Sequence, residues 1–382
     1  MSASTLAPST AEAPAPSPLL ETPSVRAHAR VAVVGTWGIP ARYGGFEMLA
    51  EQLAHNIDAR EVELTFYGQR SAFTPAERHG DFNGHRRIWL PFSAKGPQSL
   101  VHDALQLFHA VFVQRHSHVL VLGTSAAWLL PFVRLFRRRL RIVTNIDGLE
   151  WRRDKFGRVA RAMLKSLESL ACRYSDAVIA DNDALAPMVS ELHNIAPIMI
   201  AYGGDQGTQF GEVEPDPNGY LLAIGRIEPE NNAAMILAGA RQAGGHIVFI
   251  GNWTASEYGR SLLKEYADTP ACELRSSVYD QAVLAGIRAG SSVYVHGHSV
   301  GGTNPSLVEA IFHSDRILAF DCVFNRATLD NEGDYFSSPE ELAELIRRPQ
   351  SGMIAPQARE RLRQRYRWSE IAGQYVDVLI PN

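Results

Sequence analysis

The stretch Gly35-Thr36-Trp37-Gly38-Ile39-Pro40-Ala41-Arg42-Tyr43-Gly44-Gly45-Phe46-Glu47 stands between two contrasting patterns. Before it, Val31-Ala32-Val33-Val34 has the unbroken apolar character of a buried strand. After it, Phe46, Leu49, Ala50, Leu53 and Ile57 fall on one face of a helix. The stretch is therefore a glycine-rich turn from strand to helix. Glycine carries no Cβ, so a ligand can approach the backbone closely, and the helix N-terminus that follows favours anions. Two readings stay open: a phosphate or phosphosugar site using Gly44 and Gly45, or a tight turn with no ligand. A dinucleotide fingerprint is excluded. The spacing is Gly35-x-x-Gly38 and then Gly44-Gly45, and the second strand pattern, 61–67, runs into Gly68-Gln69-Arg70 where that fingerprint needs an acid.

Outward from this turn, strand patterns recur at 85–90, 118–122, 141–146, 177–180 and 198–201, alternating with helical ones at 100–113, 156–170 and 183–192. A second series has strands at 220–224, 246–250, 292–296 and 316–320. Such alternation predicts an α/β protein with parallel sheets covered on both faces and ligands beyond the strands' carboxyl ends. Between the series, 205–219 is polar, with prolines and glycines, and reads as a linker. The expected division is a disordered tail over 1–29, Rossmann-like domains over 30–205 and 206–365, and a C-terminal helix over 366–382. That helix places Trp368, Ile371, Ala372, Tyr375 and Leu379 on one face.

The 382 residues exceed one typical core, which supports two domains. A net charge of −4 argues against nucleic acid as the main partner. Cys172, Cys272 and Cys322 are widely spaced and read as reduced thiols of a cytosolic protein. No apolar run reaches the roughly 18 residues needed to cross a bilayer.

Several segments carry candidate chemistry. Arg134, Arg137, Arg138, Arg139 and Arg141 lie beside Trp128, Phe132, Leu135 and Phe136, which suits either an anionic membrane surface or a solvated helix end. Asp147 and Glu150 follow a buried strand, where they can bind sugar hydroxyls, assist proton transfer or cap the next helix. Asp181-Asn182-Asp183 has a metal-clamp spacing, yet it joins a strand to a helix and reads better as a cap. Arg226, after the first strand of the second series, offers a forked cation to a diphosphate. In His296-Gly-His298-Ser-Val-Gly301-Gly302-Thr303-Asn304-Pro-Ser-Leu-Val-Glu309, paired glycines release amides ahead of a helix start, an anion site that needs no metal. His296 and His298 share a strand face but lack a third metal ligand nearby.

Three of these segments resemble one family. Gly35–Glu47 is similar to the opening signature of a rhamnosyltransferase-like branch of the bacterial family-four glycosyltransferases, GT-B enzymes that build surface polysaccharides. Gly225-Arg226-Ile-Glu-Pro-Glu-Asn231-Asn232 resembles the family's Gly-Arg…Pro-Glu-Lys-Asn motif, with Asn231 where the lysine stands. His296–Ala310 resembles its nucleotide-sugar signature, in which two glutamates stand eight positions apart. The second is Glu309, implied to bind ribose hydroxyls; the first falls at Gly301, so its contact is either lost or supplied from elsewhere, by His298 or Ser299. The tail helix resembles the one that crosses back onto the first GT-B domain.

The resemblance implies two Rossmann-like domains facing across a cleft and a retaining, metal-independent transfer of a sugar such as L-rhamnose from dTDP-rhamnose to a lipid-linked saccharide. The implied catalytic residues are Asp147 and Arg226. The donor is assigned to Gly44, Gly45, Asn231, His298, Gly301, Gly302, Thr303, Asn304 and Glu309, the acceptor side to Arg42, Tyr43 and Glu150. No cofactor or metal is expected, and the protein is expected in the cytoplasm, peripheral on the inner membrane face through Arg134–Arg141. Two other functions suit the same architecture: a nucleotide-sugar epimerase and a non-catalytic nucleotide-sugar-binding protein.

Overall fold

A computed structural model describes residues 29–42, 44–92, 98–146, 148–153, 156–210, 219–278 and 280–381. The tail, up to residue 28, and 211–218 of the expected linker lie outside the described residues. In the first half the strands are β1 (Ala29–Val34), β2 (Val62–Gln69), β3 (Arg86–Leu90), β4 (His118–Leu122), β5 (Arg141–Asn145), β6 (Ala177–Ala180) and β7 (Ile198–Met199). They form a parallel sheet in the order β3-β2-β1-β4-β5-β6-β7. The second half has β8 (Tyr220–Ile224), β9 (Ile247–Ile250), β10 (Cys272–Arg275), β11 (Ser291–His296), β12 (Ile317–Phe320) and β13 (Asp334–Phe336), parallel in the order β10-β9-β8-β11-β12-β13.

The strand alternation is visible in β1. Val31 and Val33 pack with Leu49, Leu53, Leu120 and Tyr375 on one face, while Ala32 and Val34 pack with Leu107, Val121, Leu130 and Ala171 on the other. Burial on both faces is what a parallel sheet demands. The second sheet is covered likewise, by Ile236, Leu237 and Leu342 on one side and by Leu284, Leu307, Val308 and Ile311 on the other.

The helix Trp368–Leu379 leaves the second half and lies on the first sheet, beside the helix Gly45–Asn56. Asn145 Nδ2 donates to the Tyr375 hydroxyl at 2.7 Å, and Arg141 Nη2 donates to the Val378 carbonyl at 2.9 Å. Tyr375 and Leu379 are fully buried there. The expected crossing helix is therefore present.

Each sheet reverses its strand order once, between β1 and β4 and between β8 and β11. Ligands of open α/β sheets bind at such points, beyond the carboxyl ends of the strands. The Gly35 turn follows β1, Arg226 follows β8, and His298 follows β11, so the sequence motifs collect at the two reversals.

Candidate functional site

The Gly35 turn is held from within. Gly35 N–H donates to Gln106 Oε1 at 2.7 Å, Trp37 N–H to Glu47 Oε1 at 2.9 Å, and Ala41 N–H to Glu51 Oε2 at 2.8 Å. Gly35 has φ +94, and a Cβ there would stand 2.1 Å from the Leu122 carbonyl oxygen, so only glycine lets β1 end beside β4. The amides of 35, 37 and 41 thus have protein acceptors, and any ligand contact of this stretch moves to its end. There Gly44 and Gly45 open the helix Gly45–Asn56, and a Cβ on Gly45 would lie 3.9 Å from Pro305 of the second half. Arg42 is engaged by the Ala72 carbonyl, the Glu77 carboxylate and the Phe73 ring. Tyr43 and Asp147 lie outside the described residues.

The second half meets this edge with the turn before the helix Pro305–His313. Asn304 caps that helix, its Oδ1 accepting from Ser306 N–H at 3.1 Å. Gly301 has φ +113, and a Cβ on Gly148, just beyond β5, would lie 3.3 Å from Gly302 N. Arg226, just after β8, is near enough to disfavour a charge on His298, and its side chain is 56% exposed with Nη1 3.8 Å from Glu228 Oε2.

The Asn231 amide is engaged within the second half. Its Nδ2 donates to the Arg226 carbonyl at 2.6 Å, and its Oδ1 accepts from His298 Nδ1. That bond leaves His298 Nε2 as the acceptor, 3.4 Å from a Cβ built on Gly301. Burial, followed by the nearby Arg226 and Arg153 guanidiniums, brings His298 down to about 3, so the ring is neutral. His296 is buried with Nε2 unpartnered and is also held well below its usual range by burial.

Glu309 sits deep in the same helix with both oxygens engaged. Gln206 donates to Oε1 and Arg288 pairs with Oε2, while Gln206 in turn accepts from Trp368 Nε1 at 2.8 Å. A ribose contact would have to use the remaining lone pairs of that carboxylate.

Two residues gain importance that the motifs did not convey. The first is Asp181, whose carboxylate presses against Gly302: a Cβ on Gly302 would stand 1.7 Å from Asp181 Oδ1. Thr303 donates its hydroxyl to the Asp181 carbonyl and its amide to the carboxylate, whereas Asp181 Oδ1 is unpartnered. Burial pushes this carboxyl well up from its usual range. Asp183 instead faces outward and pairs with Arg365. The two carboxylates diverge, and the expected cap is Asn182, whose Oδ1 accepts from Ala184 N–H at 2.9 Å. The second residue is Arg153, paired with Glu150 Oε1 at 3.0 Å and 3.7 Å from Glu230 Oε1 of the second half.

The arginines near 134–141 divide into two sets. Arg134 donates to the Tyr174 and Leu140 carbonyls and to Asp176, and Arg137 to the Val111 and His116 carbonyls. These two are structural, which corrects the expectation that they face a membrane. Arg138 and Arg139 are exposed, beside Phe108, Phe132, Leu135 and Phe136, which are also exposed. Phe112 joins the Phe rings, with centroids 4.6 to 6.5 Å apart. No helix among the described residues is long and apolar enough to cross a membrane.

Comparison with known proteins follows these two halves. A family model described as a domain of unknown function, DUF1972, matches residues 28–205. No curated protein matches the chain. Among solved structures it is similar to a sucrose-phosphate synthase from Thermosynechococcus elongatus, with a TM-score of 0.74 and 13% identity over 92% of this chain and 98% of that one. A glycosyltransferase from Rickettsia africae gives 0.68 and 11%, over 93% of this chain and 100% of its own. A trehalose-6-phosphate protein from E. coli bound with UDP-2-fluoro glucose gives 0.65 and 10%, over 93% and 99%. The architecture is the GT-B fold.

Proposed function

We propose that the protein is a glycosyltransferase that moves a sugar from a nucleotide donor to a lipid-linked saccharide with retention of configuration. The donor to test first is dTDP-rhamnose, on the sequence resemblance. One observation carries the reading: the Gly301–Pro305 segment, which follows the His298 whose charge Arg226 disfavours, abuts Gly148, Asp181 and Gly45 of the first half. A donor bound there would have its diphosphate on one half and its sugar toward the other. Transfer breaks the bond between the anomeric carbon and the diphosphate, so negative charge grows on the leaving group. Arg226 and the start of the helix Pro305–His313 would meet that charge. The E. coli protein bound with UDP-2-fluoro glucose supports a nucleotide sugar as the ligand.

The test is a panel of nucleotide sugars scored for thermal stabilisation, then incubation of the best donor with a lipid-linked acceptor. A donor that raises the melting temperature and appears in the glycolipid supports the reading. A new isomer of the donor without transfer would establish the epimerase, and a tightly bound donor that stays intact would establish a binding protein.

Metal dependence offers a second check. In this reading the leaving group is met by Arg226 and the helix start, and Asp181 and Asp183 point apart. Transfer is expected to persist in excess EDTA, and Asp183→Asn to lose at most about 1 kcal/mol of stability, the size of an exposed ion pair. Activity that vanishes with EDTA and returns with Mg²⁺ or Mn²⁺ rejects this assignment.

We further place the exposed Phe108, Phe132, Leu135 and Phe136 against the membrane that holds the acceptor, with Arg138 and Arg139 toward anionic headgroups. Each cation near such a surface is worth about 1 kcal/mol, so removing both should lower partitioning roughly thirtyfold. The Arg138→Gln, Arg139→Gln double variant is expected to sediment poorly with anionic vesicles while binding donor normally. Sedimentation equal to wild type would reject the placement.

A further inference from the structure

We propose that Arg153 is a second diphosphate-binding cation of the donor site, delivered to the Gly301–Gly302 turn by the first half of the chain. The inference rests on the glycosyltransferase reading above. A diphosphate brings more than one negative charge, and on the second half Arg226 is half solvated. Residue 231 is a neutral amide already committed to the Arg226 carbonyl and to His298. The turn therefore has one forked cation on its own half.

Arg153 stands opposite. Its side chain is 9% exposed, and Nη2 lies 3.6 Å from a Cβ built on Gly301, so the guanidinium sits directly at the turn. His298, whose Nε2 lies 3.4 Å from a Cβ built on the same glycine, has its charged form disfavoured by burial first and then by Arg226 and Arg153. Arg153 is balanced by Glu150 on its own half and Glu230 on the other. A guanidinium has five donors in a fixed plane and binds phosphate bidentately, so a diphosphate can share Arg153 with Glu150 and replace Glu230. Because the residue comes from the first half, this contact exists only where the halves meet. It would couple donor binding to the closed arrangement, which a lysine at 231 could not do.

The experiment is calorimetric titration of wild type, Arg153→Gln and Arg153→Lys. The probes are whichever of UDP, dTDP, GDP and ADP binds wild type best, and the matching nucleoside. Arg153→Gln is expected to weaken the diphosphate about tenfold or more while leaving the nucleoside within about twofold, and Arg153→Lys to recover part of the loss. Diphosphate binding within about twofold of wild type, or an equal loss for nucleoside and diphosphate, overturns the inference alone. The second result would mean that Arg153 only holds the halves together. A wild type that binds none of the four overturns the glycosyltransferase reading, and this inference with it. Should Arg153→Gln not fold, Glu230→Gln is titrated instead. Freeing Arg153 from that carboxylate should tighten the diphosphate about threefold, and unchanged or weaker binding overturns the inference.

Discussion

Alanine at position 226 is expected to lower kcat/KM for sugar transfer by about two orders of magnitude, the cost of removing one preorganised donor from a developing charge. The effect should fall on kcat as much as on binding, because the diphosphate carries its full charge only as the bond to the sugar breaks. Stability should hardly change. The Arg226 side chain is 56% exposed and its ion pair with Glu228 spans 3.8 Å, so folding gains little from it. Wild-type and variant melting curves that coincide, with kcat/KM down about a hundredfold, would match. A variant within a factor of about two of wild type would put the diphosphate elsewhere.

Alanine at position 309 is expected to act differently, through the fold as well as the ligand. Removing the Glu309 carboxylate leaves the Arg288 guanidinium, 5% exposed, without its counter-charge, and frees Gln206 from its acceptor. Breaking a buried ion pair from one side costs about 3–5 kcal/mol, here a fall in melting temperature on the order of 10 °C. The loss should also loosen the Trp368–Gln206 contact at the root of the crossing helix. A ligand-free melting temperature equal to wild type, with nucleotide binding lost, would show that the residue serves the ribose alone.

The contrast between these positions shows what the chain reveals when read linearly. Arg226, Asn231, His298 and Gly301 to Glu309 were legible because each follows a buried strand at a sheet reversal, and strand ends mark themselves by a change from apolar to polar residues. The partners that decide how they act were not legible. Asp181 and Arg153 reach the Gly301–Gly302 turn from the other sheet, and nothing in local spacing encodes a contact made across a cleft. Asp181 did give signals, a metal-clamp spacing with Asp183 and a place between strand and helix that reads as a cap, but neither pointed across to Gly302, and the capping contact is made by Asn182. Among the strands, β10 and β13 escaped notice because charged residues break their short runs, Glu273 and Arg275 in the one and Asp334 in the other, leaving no apolar stretch like those of the other strands. The arginines near 134–141 show the same blindness. Their charge is plain in the sequence, whereas most of the carbonyls that hold Arg134 and Arg137, those of Tyr174, Val111 and His116, are more than twenty residues away.

The crossing helix also bears on the order in which the protein can be completed during synthesis. The first sheet is translated early, but one of its faces is covered jointly by Gly45–Asn56 and by Trp368–Leu379, a helix made only after the second sheet. Until that helix arrives, Leu120, Leu122 and Val143 have no Tyr375 or Leu379 packed over them, and Asn145 lacks its hydroxyl acceptor. The usual sequence, in which an N-terminal domain folds while the remainder is being made, is closed to this chain. Its first half waits, partly uncovered, for that helix, so a ribosome that stalls before Trp368 releases a polypeptide whose first sheet keeps part of one face bare.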